Sequence, residues 1–158
     1  MRVLLTVGLI VAVATACSSA DRGCTAIGSP AGIGVEVDPA VAPKISGGTL
    51  KLCWEGGCRT GRLELRPSTA AAESTCDGEV CSAHMRETGG KRAFMEAPDL
   101  PETELTATLR LTDRSGANVV DQTLGVTPEP TYPNGPGCGA GGPQQQLLVD
   151  ANRVARVR

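Results

Sequence analysis

The chemically versatile residues of this sequence carry sulfur: seven cysteines stand against a single histidine. Two pairs recur at one spacing, Cys53-Trp-Glu-Gly-Gly-Cys58 and Cys76-Asp-Gly-Glu-Val-Cys81. Cys24 and Cys138 stand far apart, and Cys17 is alone near the N-terminus. Three chemistries use cysteine in such patterns: oxidation to disulfides, acylation of a thiol, and metal ligation. Setting Cys17 aside leaves an even number, which reads as three disulfides with many formal connectivities. In a hairpin turning at Glu55-Gly56, Trp54 faces Gly57 and Cys53 faces Cys58. The pair then occupies a non-hydrogen-bonded site with Cα atoms about 4.5 Å apart, within the range a disulfide spans. The same register around Gly78-Glu79 would join Cys76 and Cys81, although Asp77-Gly78 is the stronger turn signal and a four-residue loop would also serve. By elimination Cys24 pairs with Cys138. The rival set is a metal site from Cys76, Cys81 and His84. Zinc accepts these ligand types, but the spacing is not a standard one and exported cysteines are usually oxidised. No metal and no cofactor is expected.

Catalytic constellations are sparse. Nucleophilic catalysis needs a nucleophile, a base and an orienting group. His84 lies in a polar stretch without a G-x-S-x-G elbow and reads as a solvent-facing strand residue. Glu102 and Glu104, or Asp113 and Asp121, form no recognisable acid–base pair and read as a solvated sheet face. Gly89-Gly90 and Gly139 to Gly142 have no following helix to supply the oriented amides of a phosphate loop. These residues lead to the expectation that the protein is not an enzyme and has no catalytic residue. The alternative is a hydrolase or metal-dependent protein whose site assembles only in three dimensions.

The N-terminus carries an export signal. Arg2 precedes an apolar run, Val3 to Ala14, interrupted by Thr6 and Gly8. Spanning a bilayer takes roughly 20 apolar residues, so this shorter run fits the apolar region of a secretory leader. It ends in Ala14-Thr15-Ala16-Cys17. Small residues before a cut admit the chain to a peptidase in extended form. The junction resembles the lipobox of bacterial lipoproteins, with Ala14 where Leu is commonest. That resemblance implies a signal peptide over residues 1–16 and acylation of Cys17, such as by palmitate. A plain secretory leader cut after Ala14 or Ala16 is the competing reading and gives a secreted protein. One acyl chain binds a membrane marginally and two bind it stably. Residues 17–23 then form the lipidated Cys and a short tether, and residues 24–158 the folded domain.

Those residues must be positioned by strands. Ile33, Val35 and Val37 alternate with polar or small residues, as do Leu50, Leu52 and Trp54, a period of two that marks half-buried strands. The chain is expected to return through Arg59 towards Leu63 and Leu65, then to run exposed from Pro67 to Glu73. Ala83 to Met95 reads as a hairpin turning at Gly89-Gly90. Leu105 to Thr112 is the clearest strand, with Leu105, Ala107, Leu109 and Leu111 inward. A turn at Asp113-Arg114-Ser115-Gly116 leads to a partner strand carrying Val120, Gln122, Leu124 and Val126. Pro128 to Pro143 holds five Pro and five Gly and reads as a rim loop fastened through Cys138. Leu147 to Val149 and Val154 to Val157 would close the sheet, although Gln144 to Val157 also fits a short helix. About seven short strands without a long helix predict an all-β fold, an antiparallel immunoglobulin-like β-sandwich stapled by disulfides. Trp54 fits either a core or a rim position. With 41% hydrophobic residues over the chain and one each of Trp, Tyr and Phe, the core is expected to be modest and aliphatic.

Charge narrows the partners. Fifteen basic and seventeen acidic residues give a net charge of −2, which argues against nucleic acid and polybasic membrane binding. Three segments carry a family resemblance: Gly23-Cys24-Thr25-Ala26-Ile27-Gly28, the Leu52–Cys58 hairpin, and Tyr132-Pro133-Asn134-Gly135-Pro136-Gly137-Cys138-Gly139. They resemble stretches of actinobacterial surface lipoproteins of unknown function, which read C-T-x-I-G-C, V-C-x-x-G-x-C and P-N-G-P-x-C-x-x-x-C. The chain departs from them at Ser29 and at Gly141-Gly142, near which each end would carry a further cysteine. Loss of both suits removal of one bridge between the ends. The resemblance implies an extracytoplasmic immunoglobulin-like domain and no reaction. The expected protein is therefore a non-catalytic binding or interaction module on the outer face of the cell membrane. It would be held there by lipid and would meet another envelope protein or a cell-wall polymer.

Overall fold

Aliphatic side chains at every second position build two sheets that share one core. A computed structural model describes residues 23–158. The expected leader at 1–16, the acylation candidate Cys17 and the expected tether as far as Arg22 lie outside the described residues. The strands are β1 (Gly32–Val37), β2 (Gly47–Trp54), β3 (Gly57–Arg62), β4 (Arg66–Asp77), β5 (Val80–Glu96), β6 (Leu105–Thr112), β7 (Asn118–Val126), β8 (Gln144–Val149) and β9 (Ala155–Val157). A single 3-10 turn, Ala42–Lys44, links β1 to β2. One sheet has the order β4-β5-β1-β8-β9 and the other β3-β2-β6-β7.

The alternation in sequence becomes the core directly. Ile33, Val35 and Val37 of β1, Leu50 and Leu52 of β2, Leu105, Ala107, Leu109 and Leu111 of β6, and Leu147 and Val149 of β8 are all buried. Among the described residues no buried residue is polar or charged, so the interior is purely aliphatic, with Met95 its largest flexible member. Trp54 only packs against this core from the edge, beside the turn that follows it.

Three expectations from the sequence need correction: the strand number, the purely antiparallel arrangement and one hairpin. The fold has nine strands among the described residues rather than about seven, and it is not purely antiparallel, because β1 pairs with β8 in parallel from Gly32↔Gln144 to Val37↔Val149. The expected hairpin at Gly89-Gly90 is absent: Val80–Glu96 is one continuous strand. Gly89, at φ +83°, instead marks an irregularity where Ser68 of β4 opposes Thr88, Gly89 and Gly90 of β5, between the pairs Pro67↔Lys91 and Thr69↔Glu87. A glycine in a strand often signals such a bulge and not a reversal. The segment Pro67 to Glu73 is largely exposed, as expected, and belongs to β4. Gln144 to Val157 forms two strands and a turn, which is the closing strand pair expected and not the alternative helix.

The cysteines are joined as Cys24–Cys138, Cys53–Cys58 and Cys76–Cys81, with Cα separations of 5.4, 4.1 and 4.0 Å. Both short bridges cross hairpins at directly opposed residues, Cys53↔Cys58 and Cys76↔Cys81. The second hairpin turns at Gly78-Glu79, with φ +60° at Gly78, as a type II′ turn needs at its first central residue.

The long bridge also explains the parallel pair. Cys24 and Cys138 are held 5.4 Å apart, close to the spacing of neighbouring strands, about 4.8 Å. Both segments then run on in the same direction. The Gly142 amide donates to Ser29 O at 2.9 Å and the Gly32 amide to Pro143 O at 3.0 Å, and β1 and β8 begin beside each other. Two extended chains leaving one covalent junction together have to pair in parallel.

Bridge removal should therefore have unequal effects. The chain-entropy relation assigns about 5 kcal/mol to closing the Cys24–Cys138 loop and about 2 kcal/mol to either short loop. Denaturant unfolding of C24S/C138S is expected to lose most of that larger stability, with C76S/C81S losing no more than about 2 kcal/mol.

Candidate functional site

The stapled end of the body holds the Cys24–Cys138 bridge, the 128–143 loop and the Cys53–Cys58 turn. The 97–104 connection between β5 and β6 also lies at the stapled end, since Glu96 pairs with Gly32 and Thr106 with Cys53; the opposite, open end is where β1 and β8 both finish. It comprises the 3-10 turn, the β6–β7 turn, the β8–β9 turn and the base of a long hairpin arm.

The arm is the part of β4 and β5 that outruns the body. Lys91 pairs with Val37, the last residue of β1. From there back to Val80 the strand has no partner except β4, and Val80 to Gly89 is exposed at every position. Ten residues extend about 33 Å. Register gives the arm two unlike faces. Cys81, Ala83 and Met85 lie with Cys76, Ser74 and Ala71, while Ser82 and His84 lie with Thr75 and Glu73. Met85 is 60% exposed and Val80 74%. His84 thus sits in solvent opposite Glu73, and Cys76 and Cys81 close the tip.

Beside the arm's base lies a cleft of about 910 Å³ lined by Lys44, Ile45, Lys91, Asp113, Arg114, Val119 and Arg153, among others. Its cations come from four separate elements: Lys44 from the 3-10 turn, Lys91 from β5, Arg114 from the β6–β7 turn and Arg153 from the β8–β9 turn. The Lys91 ammonium donates to Ile45 O, which fixes it against the cleft wall. Among the described residues the five ion pairs involve Arg59, Arg66, Arg110, Arg156 and Arg158, so none of the four cleft cations is neutralised by a carboxylate.

The two turns that present the arginines share one design. In the first, the Asp113 amide donates to Ala117 O at 3.0 Å and the Gly116 amide to Asp113 O at 3.1 Å. The Asp113 carboxylate accepts the Ser115 and Ala117 amides at 2.8 and 3.0 Å. In the second, the Asp150 amide donates to Val154 O at 3.0 Å and the Arg153 amide to Asp150 O at 2.9 Å. The Asp150 carboxylate accepts the Asn152 and Val154 amides at 2.9 and 3.1 Å. Asp-x-Ser-Gly-Ala and Asp-x-Asn-Arg-Val are therefore the same turn. The left-handed position is Gly116 at φ +85° in one and Arg153 at φ +64° in the other. Glycine is at ease there, whereas a residue with a Cβ is strained by roughly 1–2 kcal/mol. Asp113 is the one acid in the cleft wall. The Ser115 hydroxyl, at 2.6 Å, and then the Ala117 amide hold its carboxyl below the ordinary value of 3.8, so its charge is spent on the turn.

A second concavity, of about 640 Å³, lies on the outer face of the five-stranded sheet. A Cβ added to Gly34 would collide with the Gln146 amide, and one added to Gly32 would meet the Phe94 ring at 2.6 Å. The large side chains lie flat over glycines here. Glu36 and Glu64 in its wall are held by Arg158 at 2.5 Å and Arg66 at 3.1 Å.

The candidates taken from sequence are thus dispersed. The bridged cysteines lie at the stapled end and at the arm tip, and Glu102, Glu104 and Asp121 are not among the residues lining the cleft. No group of three or more His, Cys, Asp or Glu is disposed to hold a metal among the described residues. The cleft cations are spread from position 44 to 153, and only the paired Asp-x-Ser and Asp-x-Asn turn patterns hint that two of them share a context. The chain matches no family model, no curated protein and no solved structure.

A lowered carboxyl pKa links Asp113 to acid stability. Its contribution is complete above the unfolded value, about 3.9, and is lost as pH falls through the lower folded value. Thermal melts are expected to show Asp113→Asn less stable than wild type near neutrality, with the gap closing as the pH is lowered past that window.

Proposed function

We propose that the chain is an extracytoplasmic lipoprotein, anchored through Cys17 to the outer face of the cell membrane, whose body serves as a non-catalytic interaction module. In this reading residues 1–16 are removed, 17–23 form the anchor and tether, and 24–158 form an immunoglobulin-like sandwich. Two sheets with alternating inward side chains support that architecture. Among the described residues no bridge joins the sheets face to face and Trp54 stands at the rim, so the likeness is one of architecture.

The observation that carries the proposal is the polarity of the body. Cys24 is fixed to Cys138 at one end, and only Ser18 to Gly23 separate it from Cys17. Six residues span at most about 20 Å. A membrane anchor at Cys17 would hold the stapled end against the bilayer and direct the arm and the cationic cleft outward. The partners that fit are another envelope protein or a cell-wall polymer. The absence of free carboxylates from the cleft wall favours binding over acid–base chemistry there.

Ser29 and Gly141 are neighbours: a Cβ built on Gly141 would collide with Ser29 Oγ. The C-x-x-x-C pattern of the surface lipoproteins puts its last cysteine one residue further on, at Gly142, so the likeness rests on the three quoted segments and not on this pair.

Two measurements test these readings. Wild-type protein is expected in the membrane fraction and in the detergent phase on partitioning, and Cys17→Ala in the medium. Equal release of both overturns the anchor. The double variant S29C/G141C is expected to form a fourth disulfide, read as two thiols resistant to alkylation until reduction.

A further inference from the structure

We infer that the open-end cleft is a binding site for a linear polyanion, a chain of repeating phosphate or carboxylate groups. Four cations from four elements surround one concavity and none is paired with an acid among the described residues. Charges gathered in this way repel each other unless an anion arrives. The guanidinium groups of Arg114 and Arg153 can each grip an oxyanion through two parallel donors, and Lys44 and Lys91 supply point charges. A volume of about 910 Å³ far exceeds one inorganic anion, and the cleft lies at the end of the body, where a chain can pass through. The overall charge of −2 makes this cluster a local departure and not part of a generally basic surface.

Arg153 is the discriminating residue. Its turn is the twin of the one at Asp113, where the same left-handed position is glycine. A residue that served only the turn would be better as glycine. Strain held at a cleft wall by a cation is what a ligand-binding position shows. The acidic arm, with Glu73, Asp77, Glu79 and Glu87 against Arg86, is the competing occupant if supplied by a second copy.

Full-length protein in uncharged detergent should be titrated with linear polyphosphate and with polyglutamate of matched charge. Binding of either is expected, weakening as salt rises because bound counterions are released, and the tighter of the two identifies the anionic group. The variants R114A and R153G are each expected to raise Kd at least tenfold and to flatten the salt dependence by about one unit of log slope. R153G should at the same time melt at a higher temperature than wild type, which separates lost binding from misfolding, and R153K, which keeps the charge without the two parallel donors, should bind more tightly than R153G and less tightly than wild type. Failure of both polymers to bind, or binding that R114A and R153G leave unchanged, overturns the inference. Self-association abolished by those variants, without polyanion binding, also overturns it and gives the cleft to the arm of a second copy. None of these outcomes depends on whether Cys17 is acylated.

Discussion

One covalent junction organises the molecule. Cys24 and Cys138 lie 114 residues apart in sequence, and joining them removes a large share of the freedom of the unfolded chain. Its effect on the folded chain is directional. Two extended segments leave the bridge side by side, and they are joined by backbone hydrogen bonds from the Gly142 amide to Ser29 O and from the Gly32 amide to Pro143 O. They become β1 and β8, the middle of the five-stranded sheet. Every other strand of that sheet is placed by pairing outward from this parallel pair: β5 and then β4 on one side, β9 on the other. Because the junction occupies one end, the four loops and strand ends that supply the cleft's cations meet at the other.

The same junction lets a light core suffice. The interior holds no aromatic side chain and no buried polar group among the described residues, so each strand position buries little area and contributes little, at roughly 25 cal/mol per Å². The central strand is covered on both faces at low cost in side-chain bulk. Ile33, Val35 and Val37 face the core, while Gly32 and Gly34 lie under Phe94 and Gln146. One of the few aromatic residues in the chain is therefore placed on the outer face of the sheet, shielding backbone hydrogen bonds that a bare glycine would leave open to water. A 12-residue strand paired with a 17-residue one needs such support only within the body. Beyond Lys91 the ribbon has a cross-link at its tip in place of a core.

Much of the sheet structure was legible from local pattern. Leu105–Thr112 and the Cys53–Cys58 register follow from alternation and turn chemistry alone, since both depend on residues close in sequence. What escaped was non-local or ambiguous in sign. A glycine pair between strand-like segments, Gly89-Gly90, signals a reversal or a bulge equally well, and the choice was made by β1, which holds Lys91 to Glu96 along its whole length. The direction of β8 relative to β1 is invisible to periodicity, which is the same for parallel and antiparallel neighbours. It was implicit in the Cys24–Cys138 pairing once the lengths that follow each cysteine were considered. The cleft was the least legible feature, because its four cations come from segments with no common motif and a chain-wide charge of −2 conceals them.

The twin turns show where local preference yields to placement. An aspartate that caps its own turn with two backbone amides can be followed by many residues, and the fourth position is the one with a firm steric demand. Gly116 meets that demand and Arg153 does not. Both turns are surface loops in which the same four backbone amides are bonded, so neither the fold nor the register of β8 and β9 requires a side chain at that position. The strain at Arg153 is sustained by the surrounding hydrogen bonds from Asp150, which over-determine the turn. Its return is a guanidinium at the wall of a cleft whose other three cations arrive from other elements. Stability and placement oppose each other at this residue, and in the neighbouring turn, where Arg114 already supplies the charge from an unstrained position, they do not.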